Sequence, residues 1–176
     1  GAGGVAGPGG GDVRRPVSAD LAGIGAAAWS ALAAAGAGRA RAQPFLRHEF
    51  LRALELAGCV GEATGWAARH LLLRDASGAL AAAVPAYLKL HSYGEYVFDW
   101  AWADAYRRNG LRYYPKLLSA IPFTPVPGTR LAARDATSLH APARPLPGAA
   151  PSCGLASRHV LFPLSLIHNL RFPRRV

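Results

Sequence analysis

The residues best suited to chemistry lie in one block at 92–106, SYGEYVFDWAWADAY. The block contains three acids, two tryptophans and three tyrosines but no lysine or arginine, whereas the whole chain has 20 Lys and Arg against 10 Asp and Glu. An acid flanked by aromatic residues is costly to bury unless it is paired or used in catalysis. We therefore expect Glu95 and Asp99 to be catalytic acid/base groups, with a structural ion pair as the alternative.

The same block and its neighbours offer groups that could hold a ligand. Aromatic rings stack on sugars and peptides, acids bind an ammonium, and a lysine neutralises a carboxylate or phosphate. The residues expected to bind substrate are His91, Tyr93, Tyr96, Trp102, Asp104, Tyr106 and Lys116. Structural roles compete with these, because Asp104 also suits a helix cap, Trp100 a core position, and Tyr113 and Tyr114 packing.

Two helices and a hairpin are predicted upstream of this block. Asp20 suits the cap of a helix over 24–35 that ends at Gly36, and a second helix follows Pro44 and ends at Gly58. Apolar runs at 66–74 and 79–88 flank Asp-Ala-Ser-Gly, which favours a type I turn in an antiparallel hairpin. The pattern predicts an α/β (α+β) fold, with a mixed, largely antiparallel sheet flanked by helices.

The block itself fits two secondary structures. As a strand, it would place Tyr96 on one face and Glu95 and Asp99 on the other. As a helix, it would put Glu95, Asp99 and Tyr106 on one stripe. We favour a strand through about Trp100, then a short helix capped near Asp104 and ended by Asn-Gly at 109–110, followed by a strand around 116–123.

Composition excludes several classes of function. No apolar run approaches the roughly 20 residues of a membrane-spanning helix, and the first residues lack the pattern of a signal peptide, so we expect a cytoplasmic protein. The two cysteines and six histidines have no metal-ligand spacing, so no metal site is expected. The net charge of +10 raises the alternative of nucleic-acid binding, but many arginines lie in irregular segments and no DNA-binding motif is present.

Similarity to a known family is carried by two stretches, GWAARHLLLRD at 65–75 and AAVPAYLKLHSYGEYVFDWAWADAYRRNGLRYYPKLLSAIPFTPVPGTRL at 82–131. They resemble the N-terminal part of the Fem-like bacterial proteins of peptidoglycan biosynthesis or recognition, in the GNAT (acyl-CoA N-acyltransferase) superfamily. GLASRHVLFP at 154–163 resembles a later strand of the same family.

The resemblance implies a GNAT-like fold and an N-acyltransferase that moves an acyl or aminoacyl group to an amine. The implied donor is acetyl-CoA or another acyl donor, including aminoacyl-tRNA, and the acceptor is a small molecule or a cell-wall precursor. A non-catalytic module that recognises glycan or peptide is the alternative. The string nearest to a coenzyme cradle, RRNGLR at 107–112, breaks the family pattern at its last position and follows a helix-like segment, so the cofactor-binding residues stay unassigned.

The expected organisation has five parts. These are a disordered Gly-rich tail at 1–17, an N-terminal GNAT-like (Fem-like) domain at 18–131, an irregular Pro-rich segment at 132–153, a strand of the same domain at 154–163, and an artefactual or disordered tail at 164–176. Family members carry a helix where 132–153 is Pro-rich, which suggests a shifted reading frame, and 164–168 resembles a translated sequencing adapter. We therefore expect an incomplete first domain that is inactive alone, and the oligomeric state stays open.

Overall fold

The computed structural model describes residues 17–36, 43–97, 99–135 and 157–161. The helices in these ranges are α1 (Ala26–Gly36), α2 (His48–Leu56) and α3 (Trp100–Arg108), with a 3₁₀-helix at Pro44–Leu46. The strands are β1 (Val17–Ser18), β2 (Trp66–Ala68), β3 (His70–Arg74), β4 (Leu80–Val84), β5 (Tyr87–Lys89), β6 (Lys116–Ser119), β7 (Ala132–Ala133) and β8 (Ser157–Val160).

A bent hairpin builds two sheets. Its first arm is β2 followed by β3, its second arm is β4 followed by β5, and the Arg69 N–H donates to the Ala86 carbonyl at the bend, 2.8 Å away. The first sheet has the order β1-β3-β4-β7 and is antiparallel throughout. The second sheet has the order β2-β5-β6-β8, in which only β6 and β8 are parallel. The mixed α/β, largely antiparallel class is confirmed, although the strands form two sheets where one was expected.

The hairpin turn has the predicted chemistry. Asp75 Oδ1 accepts hydrogen bonds from the N–H groups of Ser77 and Ala79, each at 3.0 Å. The Gly78 N–H closes the turn on the Asp75 carbonyl at 2.9 Å, and Gly78 has φ +84°, which glycine adopts without steric cost. Asp first and Gly last therefore fix where the chain reverses.

The main core lies between the helices and the first sheet. α1 packs on β4 and β7, and Trp29 of α1 is fully buried, with its indole N–H donating to the Leu46 carbonyl at 2.8 Å. β4 is buried along its whole length, which explains its run of small alanines. A second cluster packs on the other sheet and includes Trp66, Tyr87 and Leu118. The two helices expected upstream are present as α1 and α2.

The strand expected through about Trp100 is wrong. β5 ends at Lys89, residues 93–96 form turns and bends, and α3 begins at Trp100. Gly94 (φ +79°) and Tyr96 (φ +58°) are in the left-handed region, which is incompatible with an extended strand. The cap expected at Asp104 is also wrong, because Asp104 lies inside α3.

The other predicted boundaries of helices and strands agree more closely with the structure. α3 ends before Asn109 and Gly110, as expected, and Gly110 has φ +69°. The strand expected around 116–123 is present as the shorter β6. Apart from Val17 in β1, the tail expected at 1–17 is outside the described residues, as are 136–153 and 164–176. The five-part organisation therefore stays a prediction. Among the described residues, no helix combines the length and apolar character needed to cross a membrane.

Candidate functional site

Two buried lysines lie side by side on neighbouring strands of the second sheet. Lys89 ends β5 and Lys116 begins β6, and the two are direct partners in the antiparallel ladder. Trp66 of β2 is the partner of Lys89 on its other side. Lys89 is 0% and Lys116 1% exposed, so their charges have almost no contact with water. Like charges directly opposite each other repel, and this pair requires acids nearby.

Glu95 and Asp99 supply those acids. The Lys116 ammonium donates to Glu95 Oε2 at 2.7 Å, to Asp99 Oδ2 at 2.5 Å and to Ser92 Oγ at 2.9 Å, which uses all three of its N–H groups. The other oxygen of Glu95, Oε1, lies 4.0 Å from Lys89 Nζ. Two lysines and two carboxyl groups thus form a buried network, which we call the lysine–acid cluster.

Lys89 is held less tightly than Lys116. Its ammonium donates to the Tyr93 carbonyl at 3.0 Å and lies 3.8 Å from the centroid of the Trp66 ring, a cation–π contact. Burial lowers the pKa of Lys89 to about 8; Glu95 opposes this effect and Lys116 adds to it. Lys89 is therefore more easily deprotonated than an ordinary lysine.

The two acids have different proton affinities. Burial raises the pKa of Glu95 above its ordinary value, against the hydrogen bond from Lys116. For Asp99 burial acts in the same direction, but hydrogen bonds from Lys116 and from the Tyr113 hydroxyl at 2.7 Å outweigh it and lower the pKa. Asp99 precedes α3 without capping it through its side chain, and its Oδ2 accepts from Lys116. Among the described residues, Glu95 Oε1 and Asp99 Oδ1 have no hydrogen-bond partner.

Aromatic hydroxyls close the cluster on the side of α3. Tyr114 Oη lies 2.6 Å from Ser92 Oγ, and burial together with the hydrogen bond to Asp99 raises the pKa of Tyr113. The ring of His159 in β8 lies 5.7 Å from that of Tyr113, so the parallel strand reaches the same site. Burial and Lys116 lower the pKa of His159, with Asp99 opposing.

The structure brings together three of the residues predicted for the site, Glu95, Asp99 and Lys116, although Lys116 holds the acids where a substrate contact was expected. His91 lies beside the cluster: its Nδ1 accepts from the Tyr93 N–H at 3.3 Å, and burial, then Lys89 and Lys116, lower its pKa. Tyr93 contributes its carbonyl to Lys89.

The remaining predicted residues lie further out. The side chains of Tyr93, Tyr96 and Trp102 are exposed, at 71%, 61% and 66%. Tyr106 packs edge-on against Tyr113 with ring centroids 5.2 Å apart. Asp104 forms ion pairs with Arg107 and Arg108 on the next turn of α3. None of these contacts tests a role in substrate binding, which stays a prediction for each residue.

Comparison with known proteins covers most of the chain. A family model described as FemAB-like, peptidoglycan biosynthesis/recognition, matches residues 20–169. The chain belongs to the FemAB-like family. No curated protein and no solved structure matches it. The match includes every residue of the lysine–acid cluster, and it links the FemAB-like chain to the synthesis or recognition of cell-wall material.

Sequence reasoning missed four groups of this FemAB-like site: Lys89, Ser92, and the hydroxyls of Tyr113 and Tyr114, which were expected only to pack. One signal was available, because Lys89 and Lys116 are the only lysines in the chain. Every other basic side chain is arginine. Two lysines placed near the same acidic block stand out against that background.

The string nearest to a coenzyme cradle lies at the C-terminal end of α3 in the FemAB-like chain. In the string RRNGLR at 107–112, Arg108 ends α3 and Gly110 follows its C-terminus. A helix C-terminus presents carbonyl oxygens, whereas a pyrophosphate needs the N–H groups of an N-terminus, so this string forms no such cradle. Among the described residues, no group of three or more His, Cys, Asp or Glu side chains could hold a metal ion.

Proposed function

We propose that this FemAB-like chain provides the acceptor side of an N-acyltransferase, with Glu95 as the general base for an amine of a cell-wall precursor. One observation carries the proposal: the Glu95 carboxyl is buried between two lysines, and its Oε1 has no hydrogen-bond partner in the described part of the chain. Its raised pKa also suits a base, because efficient proton transfer needs a pKa closer to the operating pH than an ordinary carboxyl has.

The reaction starts with loss of a proton from the acceptor. An amine is an ammonium near neutral pH, and it must lose that proton before its lone pair can attack. Glu95 Oε1 takes the proton. The nitrogen then attacks the acyl carbonyl carbon and the new C–N bond forms. The bond to the thiol sulfur or ester oxygen of the donor breaks, and the leaving group takes up the proton that the nitrogen loses as it becomes an amide. Acetyl-CoA, another acyl donor or an aminoacyl-tRNA would supply the acyl group.

Asp99 and Lys116 act as positioning residues in this scheme. Lys116 binds one oxygen of each acid and leaves Glu95 Oε1 for the amine. When Glu95 becomes neutral, Lys116 keeps a counter-charge, because the lowered pKa of Asp99 holds that carboxyl ionised. Lys116 therefore stays paired with Asp99 when the cluster accepts a proton, and Lys89 keeps its contacts with the Tyr93 carbonyl and the Trp66 ring.

Access to Glu95 depends on the turn that carries it. Its side chain is 1% exposed, beneath a segment whose Tyr93 and Tyr96 are open to solvent. An acceptor amine reaches Oε1 only when this turn shifts, so acceptor binding and exposure of the base are coupled in the proposal.

A recognition module without turnover is the second candidate. It is favoured by the charge balance of the cluster, since two lysines and two carboxyl groups stabilise one another without a substrate. The exposed rings of Tyr93, Tyr96 and Trp102 would then bind glycan or peptide.

Acyl transfer by the full-length protein separates the candidates. Transfer from acetyl-CoA and from aminoacyl-tRNA to a muramoyl pentapeptide would be followed by mass spectrometry for the wild type, Glu95→Gln and Glu95→Asp. Loss of a general base should lower kcat about 10²- to 10⁴-fold in Glu95→Gln. Glu62→Gln is the matched control, because that side chain is 82% exposed. Circular dichroism would confirm that each variant is folded.

Two results would change the assignment. A wild-type rate in folded Glu95→Gln would remove Glu95 as the base. Pentapeptide binding without transfer from either donor would favour the recognition module. For the enzyme, the acid limb of the pH profile of kcat/KM should lie above the usual carboxyl range, because the pKa of Glu95 is raised.

A further inference from the structure

A cavity of about 600 Å³ lies between α3 and the segment that leads into β6. We call it the α3 pocket, and its lining includes Trp100, Asp104, Arg107, Arg112, Tyr113 and Tyr114. α3 has no buried residue, and Trp100 is 60% exposed, so the pocket opens to solvent along one wall of the helix. The α3 pocket is therefore accessible to solvent, whereas the lysine–acid cluster beneath it is buried.

The pocket is positively charged. The carboxylate of Asp104 is shared by Arg107 and by Arg108, one turn along the helix, and is neutralised by them. Arg112 lines the same cavity and forms no ion pair with any described residue. A guanidinium with no carboxylate partner, at the edge of a pocket with aromatic walls, is well suited to bind an anion in a bidentate manner.

The inner wall of the pocket is connected to the lysine–acid cluster. Tyr113 and Tyr114 line the cavity, and their hydroxyls point to the cluster: that of Tyr113 donates to Asp99, and that of Tyr114 lies 2.6 Å from Ser92 Oγ. Ser92 in turn accepts from Lys116 at 2.9 Å. A ligand in the pocket would therefore touch the residues that hold the two acids.

We propose that the α3 pocket binds an anionic group of the acceptor, a carboxylate or a phosphate, on Arg112 and Arg107, with the adjoining sugar or peptide against Trp100. The assignment rests on the proposed function for the nature of the acceptor, since cell-wall precursors are acidic glycopeptides. It gives the pocket the task of placing the acceptor beside the tyrosines that contact the base and its partners.

Calorimetric titration of the full-length protein tests the pocket without measuring turnover. The probes are an N-acetylmuramoyl pentapeptide, which offers carboxylates, and inorganic pyrophosphate. Arg112→Gln should raise Kd about tenfold to a hundredfold for at least one of them, as expected for loss of a charged hydrogen bond. Trp100→Phe should weaken pentapeptide binding and leave pyrophosphate binding unchanged. Arg47→Gln is the matched control, because Arg47 is 63% exposed and lies just before α2, outside the pocket.

The pattern of affinity losses identifies the anion that the pocket binds. A loss confined to the pentapeptide identifies a carboxylate, a loss confined to pyrophosphate identifies a phosphate, and a loss of both shows a general anion site. Unchanged affinity in Arg112→Gln, or an equal loss in Arg47→Gln, overturns the proposal. Normal acyl transfer by Glu95→Gln together with the expected Arg112→Gln defect would reject Glu95 as the base while leaving the pocket in place.

Discussion

Lys89 and Lys116 are paired across neighbouring strands, and the carboxyl group of Glu95 reaches both ammonium groups, with one oxygen 4.0 Å from the first and the other 2.7 Å from the second. The arrangement places two positive charges at adjacent buried positions of a sheet, where they would repel. Glu95 is the one carboxyl in the described part of the chain that is ion-paired with both. The stability of this sheet should therefore depend on Glu95 more than on any acid at the surface.

Replacing Glu95 with glutamine should destabilise the fold by about 3 kcal/mol, because in the described part of the chain it leaves Lys89 with no carboxylate partner and Lys116 with Asp99 alone. Urea unfolding followed by circular dichroism gives the free energy. Glu62→Gln should change it by less than about 0.5 kcal/mol, since that exposed acid pairs weakly with Arg69 at 3.4 Å. Equal losses in the two variants would show that Glu95 contributes no more to the free energy of unfolding than an exposed acid does.

Lys116→Met should reverse the pH dependence that Asp99 contributes to stability. In the wild type Asp99 has a lowered pKa, so it stabilises the fold above its ordinary value of 3.8 and that stability is lost as the pH falls below it. Without Lys116, burial and mutual repulsion should raise the pKa of Asp99 above its ordinary value and raise further the pKa of Glu95, which burial already elevates. The folded variant then binds more protons than the unfolded chain between the ordinary and the raised values, and it loses stability as the pH rises through that window.

Thermal unfolding between about pH 5 and about pH 7 measures this effect. The Tm of Lys116→Met should fall relative to the wild type as the pH increases. Arg47→Met controls for loss of a basic side chain, because Arg47 is exposed and pairs with the exposed Glu49. Parallel pH profiles for wild type and Lys116→Met would mean that Lys116 does not lower the pKa of the two acids.

Local signals in the sequence were sufficient for the helices and the hairpin. Pro44 begins the 3₁₀-helix before α2, Gly58 with φ +68° follows that helix, and Asp75 and Gly78 make the turn. The block at 92–100 was predicted as a strand because the alternation of its residue types matches one. Its conformation is decided instead by left-handed residues and by two carboxyl groups that must reach the same ammonium, a tertiary constraint that no local pattern contains.

For the site, residue type identified the two acids and Lys116 but not the contacts between them. Glu95 and Asp99 could be named because acids among aromatic residues need a reason to be buried, and Lys116 because a lysine can neutralise a carboxylate or phosphate. Lys89 could not, since its place opposite Lys116 depends on the register of β5 against β6. The polar roles of Tyr113 and Tyr114 likewise depend on how the segment before β6 approaches Asp99 and Ser92.

Lys89→Met should remove a gain in stability at alkaline pH. The pKa of Lys89 is about 8 in the fold against an ordinary value of 10.5, so between these values the unfolded chain binds more protons and wild-type stability rises with pH. The difference between wild type and variant should change by about 1–3 kcal/mol over this range. Urea unfolding at about pH 8 and about pH 10 measures it. A difference in the free energy of unfolding that does not change with pH would mean that the pKa of Lys89 is not lowered in the fold.

Gly65→Ala should disturb the site through His91. Gly65 has φ +70°, and a Cβ there would lie 2.1 Å from His91 Nε2. Gly78→Ala is a matched control, because Gly78 has φ +84° and nothing within 4 Å of its Cβ position, so it reports the backbone penalty of about 1–2 kcal/mol alone. Gly65→Ala should cost about 1–3 kcal/mol more, the usual range for overpacking. Adding His91→Ala should abolish the excess; if it persists in the double variant, the collision with His91 is not its cause.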